Sequence, residues 1–156
     1  MDAYTFLLVL HSILRWLVLI FLVLAIYRAF NGLLTNRPFT AQDNKLRAAT
    51  LGIVHLQFLA ALILYFVSPV IQSFMNNFQE SVKISEIRFF GMEHSLMMLV
   101  AIILITIGAI SAKRKKTDRK KFKAMAIWFS IGLLIILINI PWPFSPFAER
   151  PWFRWF

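Results

Sequence analysis

Four long apolar stretches, separated by short basic connections, constrain this chain more than any other feature of its sequence. A helix that crosses the hydrocarbon core of a bilayer needs about 20 predominantly apolar residues. The stretches reach or nearly reach that length, and we predict membrane spans at about 4–27, 46–70, 89–112 and 122–140. The sequence therefore predicts an all-α fold, in which residues 1–144 form a four-helix transmembrane bundle.

The composition agrees with a membrane protein and excludes other classes. Hydrophobic residues make up 60% of the 156 residues and charged residues only 15%, whereas soluble domains average about 45–50% apolar and about 25% charged residues. The net charge is +10, but the basic residues lie between apolar runs, so we do not expect a nucleic-acid partner. The chain has no cysteine, which excludes disulfides, thiolate metal sites and covalently attached c-type haem.

The distribution of Lys and Arg predicts the orientation in the membrane. The first and third connections carry four and eight basic residues, against two in the second connection and two in the C-terminal tail. By the positive-inside rule, the first and third connections lie in the cytoplasm and both termini lie on the non-cytoplasmic side. We expect a multi-pass protein of the bacterial inner membrane, in which the basic run 113–121 contacts anionic lipid.

Two segments on the non-cytoplasmic side have their own patterns. Apolar residues at positions 71, 74, 75, 78 and 82 follow helical spacing, which predicts a short amphipathic helix on the membrane surface. The tail 145–156 is rich in aromatic residues and is too short and proline-broken to span a membrane. We expect this tail to lie along the interface or to dock against a membrane-protein partner.

The ionisable residues inside the predicted spans indicate a candidate site. All three histidines fall within spans, as His11, His55 and His94, and Arg15 follows His11 by one helical turn. Such residues are costly in hydrocarbon, so they usually face the bundle interior and serve a function. At about 1.5 Å per helical residue, His11 and His94 lie at similar depth toward the outside, on helices that run in the same direction. His55 lies near the middle of the membrane.

Two imidazoles on different helices at matched depth are the donors that bis-histidine haem ligation requires. In this interpretation His11 and His94 are the axial ligands, His55 is an alternative ligand, and Arg15 is a partner for a haem propionate. The same side chains are also compatible with structural hydrogen bonds between helices, with a quinone or proton site, or with a copper or zinc site that includes Glu93. No phosphate-binding loop or nucleophile–base pair is recognisable, and the spacing alone does not identify an enzyme.

Nearly the full length of the chain resembles a family of small four-helix bacterial membrane proteins named cytochrome b. The resemblance is carried by the segments His11-Ser12-Ile13-Leu14-Arg15-Trp16, Arg37-Pro38-Phe39-Thr40, His55-Leu56-Gln57, Leu64-Tyr65-Phe66-Val67-Ser68-Pro69, Glu93-His94-Ser95-Leu96-Met97-Met98 and Ile140-Pro141-Trp142-Pro143. It implies haem b and haem-mediated electron transfer within the inner membrane, with a quinone as one possible redox partner. The alternatives are a non-catalytic subunit of a larger membrane complex and a porphyrin- or copper-handling protein, since the layout is loosely similar to copper-resistance membrane domains and to four-helix protoporphyrinogen oxidases.

Overall fold

The computed structural model describes residues 2–153, and these residues form helices without any strand. The helices are α1 (Ala3–Thr35), α2 (Ala41–Val67), α3 (Pro69–Asn76), α4 (Phe78–Ser81), α5 (Ser85–Arg88), α6 (His94–Arg114) and α7 (Asp118–Asn139), and the π-helical turn Phe89–Glu93 joins α5 to α6. Four segments are long and apolar enough to cross a membrane: Ala3–Thr35, Ala41–Val67, Ser85–Arg114 and Asp118–Asn139. The predicted four-helix membrane bundle is therefore confirmed, and the chain is a multi-pass membrane protein.

The first two spans extend further toward their connection than apolar length predicts. α1 continues past residue 27 to Thr35 and ends at Asn36, which adopts the left-handed conformation with a φ of 51°. α2 begins at Ala41 because Thr40 caps it: the Asp43 N–H donates to the Thr40 hydroxyl (3.4 Å), and the Asp43 carboxylate accepts from the Thr40 N–H (2.9 Å). Polar helix ends of this kind lie beyond the apolar run, so hydropathy alone underestimates the helices.

A buried ionic cluster fixes the connection between α1 and α2. Asp43 is 1% exposed and accepts hydrogen bonds from Arg28 Nε (2.8 Å) and Arg37 Nη1 (2.7 Å). The bond to Asp43 raises the pKa of the Arg37 guanidinium above its usual value. Arg47 is also buried and donates to the carbonyl oxygen of Ala109 on α6 (3.1 Å). These three arginines therefore fix α1, α2 and α6 relative to one another, in addition to carrying the positive charge from which the orientation in the membrane is predicted.

α7 packs against both α1 and α6, and the three helices enclose the hydrophobic core. The core contains Leu22, Ala25 and Ala29 from α1, Ala101, Ile105 and Ala109 from α6, and Phe122, Met125 and Phe129 from α7. Small residues let the helices approach closely: a Cβ built on Gly108 would lie 2.4 Å from the Cβ of Trp128. α2 packs mainly on α1 and meets α6 at few points, which leaves room between α2 and α6.

The predicted amphipathic segment forms the helices α3 and α4. The helical spacing predicts one shared apolar face, but Ile71 and Phe74 are buried while Met75 and Phe78 are 61% and 55% exposed, because the helix is interrupted at Asn77 and because Ile71 and Phe74 pack on the protein. Phe74 packs so closely on the π-helical turn that a Cβ built on Gly91 would lie 2.4 Å from its ring. The segment therefore supports the start of the third span on one side and presents apolar side chains on the other.

The C-terminal tail packs against its own bundle. Trp142 contacts Trp16 of α1 edge to face at a centroid distance of 6.3 Å, and Phe153 stacks on the same indole at 5.2 Å. The tail thereby covers α1 where α7 has already ended. The structure describes the predicted tail 145–156 as far as residue 153, and residues 154–156 lie outside the described residues.

Candidate functional site

A cavity of about 420 Å³ lies between α1, α2 and α6, and α3, the π-helical turn, the end of α7 and part of the tail also contribute to its walls. Small-molecule sites typically measure about 300–1,000 Å³ and have mostly apolar walls with a few polar groups. The lining is predominantly apolar but includes His11, Arg15, His94 and Arg150. The structure therefore brings three of the four predicted site residues to one cavity.

His94 is held in an orientation that suits a metal ligand. Its Nδ1 lies 2.8 Å from the main-chain carbonyl oxygen of Asn139, the last residue of α7. A carbonyl only accepts hydrogen bonds, so Nδ1 carries the proton and Nε2 keeps the lone pair of the neutral ring. Among residues 2–153, no hydrogen bond occupies Nε2. A carbonyl bonded to one ring nitrogen is the common means of fixing the tautomer of a metal-binding histidine.

The prolines that end α7 make this carbonyl available. In a continuing helix the carbonyl of Asn139 would accept from the N–H of the residue at 143, but Pro143 has no N–H. The carbonyl of Leu137 loses its helical donor at Pro141 in the same way, and it accepts instead from the indole N–H of Trp142 (2.8 Å). The helix-ending motif Ile140-Pro141-Trp142-Pro143 is thus also next to the group that orients His94 on α6.

His11 is held differently, by the side-chain amide of Gln57 on α2. Gln57 Nε2 lies 3.1 Å from Nδ1 and 3.3 Å from Nε2 of His11, and it donates to the main-chain oxygen of His11 at 3.1 Å. The other amide atom, Oε1, is buried and has no hydrogen-bond partner within the described part of the chain. Gln57 was not among the predicted site residues, because its contact with His11 depends on how α1 and α2 pack.

Arg15 lies beside the histidines, as predicted, and also fixes the tail. Its Nη2 donates to the carbonyl oxygen of Trp152 at 2.6 Å, and Nε1 of Trp16 donates to the same oxygen at 3.1 Å. The guanidinium carbon lies 5.6 Å from the ring centre of Trp16. One arginine therefore links the cavity to the tail that borders it.

Arg150 is a cavity residue that sequence reasoning missed. It enters from the tail, forms an ion pair with Glu86, and places its guanidinium 4.7 Å from the ring centre of Phe90. The tail has no regular secondary structure, so no periodicity in the sequence predicts which side chain points toward the bundle. Arg150 and Arg15 together give the cavity two guanidinium groups, which are strong donors to carboxylates.

His55 lies apart from these residues. It is exposed, does not line the cavity, and places Nε2 3.0 Å from the hydroxyl of Thr106 on α6. Glu93, which the copper or zinc alternative includes, pairs with Arg88 at 2.8 Å. Within residues 2–153, no three His, Cys, Asp or Glu side chains form a group that could hold a metal ion. The copper or zinc alternative built on three histidines and Glu93 therefore lacks an assembled ligand set here.

No family model, curated protein or solved structure matches this chain. The cavity is therefore the feature of this protein that indicates a function. Its defining features are two imidazoles from different helices, two guanidinium groups and apolar walls.

Proposed function

We propose that this chain is a b-type haem protein of the bacterial inner membrane that takes part in electron transfer. The observation that carries the proposal is that His11 and His94, from different helices, line one apolar cavity together with two arginines. Imidazole nitrogens, an apolar cleft between helices and cationic donors near the propionates are what haem b requires. When bound, haem would supply one-electron exchange at its iron.

The residues present fit this cofactor. His94 would offer Nε2, because Asn139 already holds its Nδ1. His11 would supply the second imidazole from α1, and Arg15 and Arg150 would hold the propionates. The apolar side chains that would contact the macrocycle come from α1, α2, α6 and α7, and include Val18, Val54, Phe58, Met98, Ile102 and Ile136.

The proposal includes an orientation and partners. We place both termini on the non-cytoplasmic side, with the exposed basic run 113–121 in the cytoplasm, where it would contact anionic lipid. The candidate cavity would then lie in the outer half of the membrane. Phe144 and Trp152 remain 71% and 47% exposed, and this aromatic surface would meet the interface or a redox partner, either a quinone or a membrane protein.

The experiment that tests the proposal is a dithionite-reduced minus oxidised absorption spectrum of the detergent-purified protein, made in haem-replete cells. Pyridine haemochrome quantification then gives the haem stoichiometry. We expect the α-band of haem b and roughly one haem per chain. A folded, colourless protein would contradict the proposal, and stoichiometric partners in the same preparation would support the alternative of a non-catalytic subunit.

A further inference from the structure

Two hydrogen bonds border a gap between α2 and the third span. At its inner end, Nε2 of His55 lies 3.0 Å from the hydroxyl oxygen of Thr106. At its outer end, the hydroxyl of Tyr65 donates to the carbonyl oxygen of Gly91 at 3.0 Å. Among residues 2–153, no hydrogen bond or ion pair joins the two spans between these points. Positions 55 and 65 lie about 15 Å apart along α2, at about 1.5 Å per helical residue, and we call the gap between the two bonds the lateral window.

The side chains at the lateral window are apolar and also belong to the cavity wall. They follow helical spacing along the facing sides of α2 and α6, and they are Phe58, Ala61, Leu62, Met98, Leu99 and Ile102. Leu62 and Leu99 line the cavity and yet are 42% and 41% exposed. Side chains that belong both to the cavity wall and to the outer surface of a span mark the place where the cavity opens toward the hydrocarbon of the bilayer.

The other sides of the cavity are covered. α1 packs on α2 and on α7, and α6 packs on α7. At the outer end the tail is tied to the bundle, because Arg15 donates to the carbonyl oxygen of Trp152 (2.6 Å) and Arg150 pairs with Glu86. A ligand that enters through the lateral window therefore displaces neither the tail nor a packed pair of helices.

The polarity of the lateral window matches a ligand that dissolves in a bilayer. Haem b has an apolar macrocycle and two carboxylates on one edge, so in a bilayer the macrocycle lies in hydrocarbon and the carboxylates lie at the interface. Arg150 places its guanidinium 4.7 Å from the ring centre of Phe90, which precedes Gly91 at the outer border of the lateral window. The guanidinium is therefore at the end of the window where the carboxylates would arrive.

We infer that the lateral window is an entry site through which haem b passes from the bilayer into the cavity. The identity of the ligand rests on the proposed haem function, whereas the opening toward lipid is a separate property of the bundle. The inference also gives His55 a role outside the cavity: with Thr106 it forms the inner border of the window.

The opening is tested without haem, by thiol labelling in proteoliposomes, because the chain has no cysteine of its own. Ser12 lies in the cavity wall on α1 and is 7% exposed, so Ser12→Cys places a thiol inside the bundle. We expect lipid-soluble N-phenylmaleimide to label this thiol, and a sulfonated maleimide confined to water to label it far more slowly. Adding Leu62→Trp or Leu99→Trp narrows the window and should slow labelling from the lipid by about ten-fold, the effect of one overpacked side chain on a barrier.

The matched control is Leu56→Trp, which adds the same side chain to α2 at a position that is 52% exposed and outside the cavity. It should leave the labelling rate at that of the Ser12→Cys protein. Leu62→Ala widens the window and should speed labelling, and general damage to the fold cannot slow labelling in one Leu62 variant and speed it in the other for the same reason. Unchanged rates in both tryptophan variants, or faster labelling from water than from lipid, would overturn the inference.

The ligand is tested with haemin dissolved in phosphatidylcholine vesicles, which are mixed with haem-free protein that contains no cysteine. The Soret band follows the association, and we expect Leu62→Trp and Leu99→Trp to slow it by about as much as they slow thiol labelling. Slower labelling with unchanged haemin association would show an opening that haem does not use, and would overturn the entry role. A wild-type protein that binds no haemin would refute the proposed function, whereas failure of the window alone appears in the labelling, so the two failures are distinguishable.

Discussion

Nδ1 of His94 on α6 lies 2.8 Å from the carbonyl oxygen of Asn139 at the end of α7, and that oxygen has no helical donor because the chain leaves the helix at Ile140 (ψ 131°), just before Pro141. The end of one helix therefore orients a side chain on its neighbour. α6 and α7 also share the hydrophobic core, so the position of the carbonyl relative to the imidazole is set by close packing rather than by a mobile loop. The cavity histidine and the helix-ending motif form one structural unit.

Replacing Pro141 and Pro143 together should disturb this unit. The double variant Pro141→Ala, Pro143→Ala lets α7 continue past Ile140 and supplies an N–H at position 143 that competes with His94 for the Asn139 carbonyl. We expect the haemin dissociation constant to rise by about ten-fold, as for the loss of other groups that orient metal ligands, and titration of the purified variant measures it. Pro146→Ala, at an exposed tail position, is the control and should match wild type. An unchanged affinity in the double variant would show that the carbonyl does not depend on these prolines.

The histidines should differ sharply in their effect on haem content. His94→Ala removes the prepared ligand, so we expect the haem recovered per chain to fall close to zero. His55→Ala removes a ring that binds Thr106 outside the cavity, and its haem content should stay close to wild type. Pyridine haemochrome quantification on both purified variants gives the comparison. Loss of haem in His55→Ala with retention in His94→Ala would show that the ligand assignment is wrong.

The fold was largely predictable because the hydrophobic effect and the bilayer act on local sequence. Apolar length predicts the four spans, and the spacing at Ile71 and Phe74 predicts the short helix between the second and third spans. Helix ends were less predictable where polar caps extend them, as Thr40 does for α2. The separate helix Ser85–Arg88 and the π-helical turn that follows it escaped prediction, since no apolar periodicity distinguishes them from the rest of the third span.

The candidate site was predictable only in part, because local sequence gives the depth of a residue along its helix but not the direction in which its side chain points. Depth along a helix can be counted from sequence, which is why His11 and His94 were expected together and indeed line one cavity. Rotation about each helix axis and the path of the tail depend on tertiary packing. The contacts made by Gln57, Arg150 and the Asn139 carbonyl therefore emerge only from the structure.

The buried Asp43 should be important for stability. Asp43→Asn removes the charge that compensates Arg28 and Arg37, both within 2.8 Å of its oxygens. The side chains of Arg28 and Arg37 are 36% and 24% exposed, so water compensates part of the lost charge, and we expect the free energy of unfolding, measured in mixed micelles, to fall by about 1–3 kcal/mol. The carboxylate of Asp118 is 41% exposed beside Lys121, so the control variant Asp118→Asn should leave the free energy of unfolding unchanged. Equal effects of the two variants would contradict the structural role of Asp43.

Two glycines should respond in opposite directions to an added methyl group. A Cβ on Gly108 would lie 2.4 Å from the Cβ of Trp128, which cannot move without its helix. We expect Gly108→Ala to destabilise the bundle by about 1–3 kcal/mol, as overpacking usually does. Gly52 has no atom within 4 Å of that position, so Gly52→Ala should stabilise α2 by about 0.5–1 kcal/mol through helix propensity. The same unfolding assay separates the two, and destabilisation by both would contradict the helix packing.

The orientation of the bundle can be tested with single cysteines, because the chain has none of its own. Arg37 and Arg47 are engaged by Asp43 and by the carbonyl of Ala109, so the exposed run 113–121 is the main orientation signal that remains. We expect a membrane-impermeant maleimide to label Gln79→Cys in intact cells, and to label Lys116→Cys only after the inner membrane is permeabilised. Both positions are exposed, so labelling differences report the side of the membrane rather than burial. The reverse pattern would place the candidate cavity in the cytoplasmic half and direct the search for redox partners to the cytoplasm.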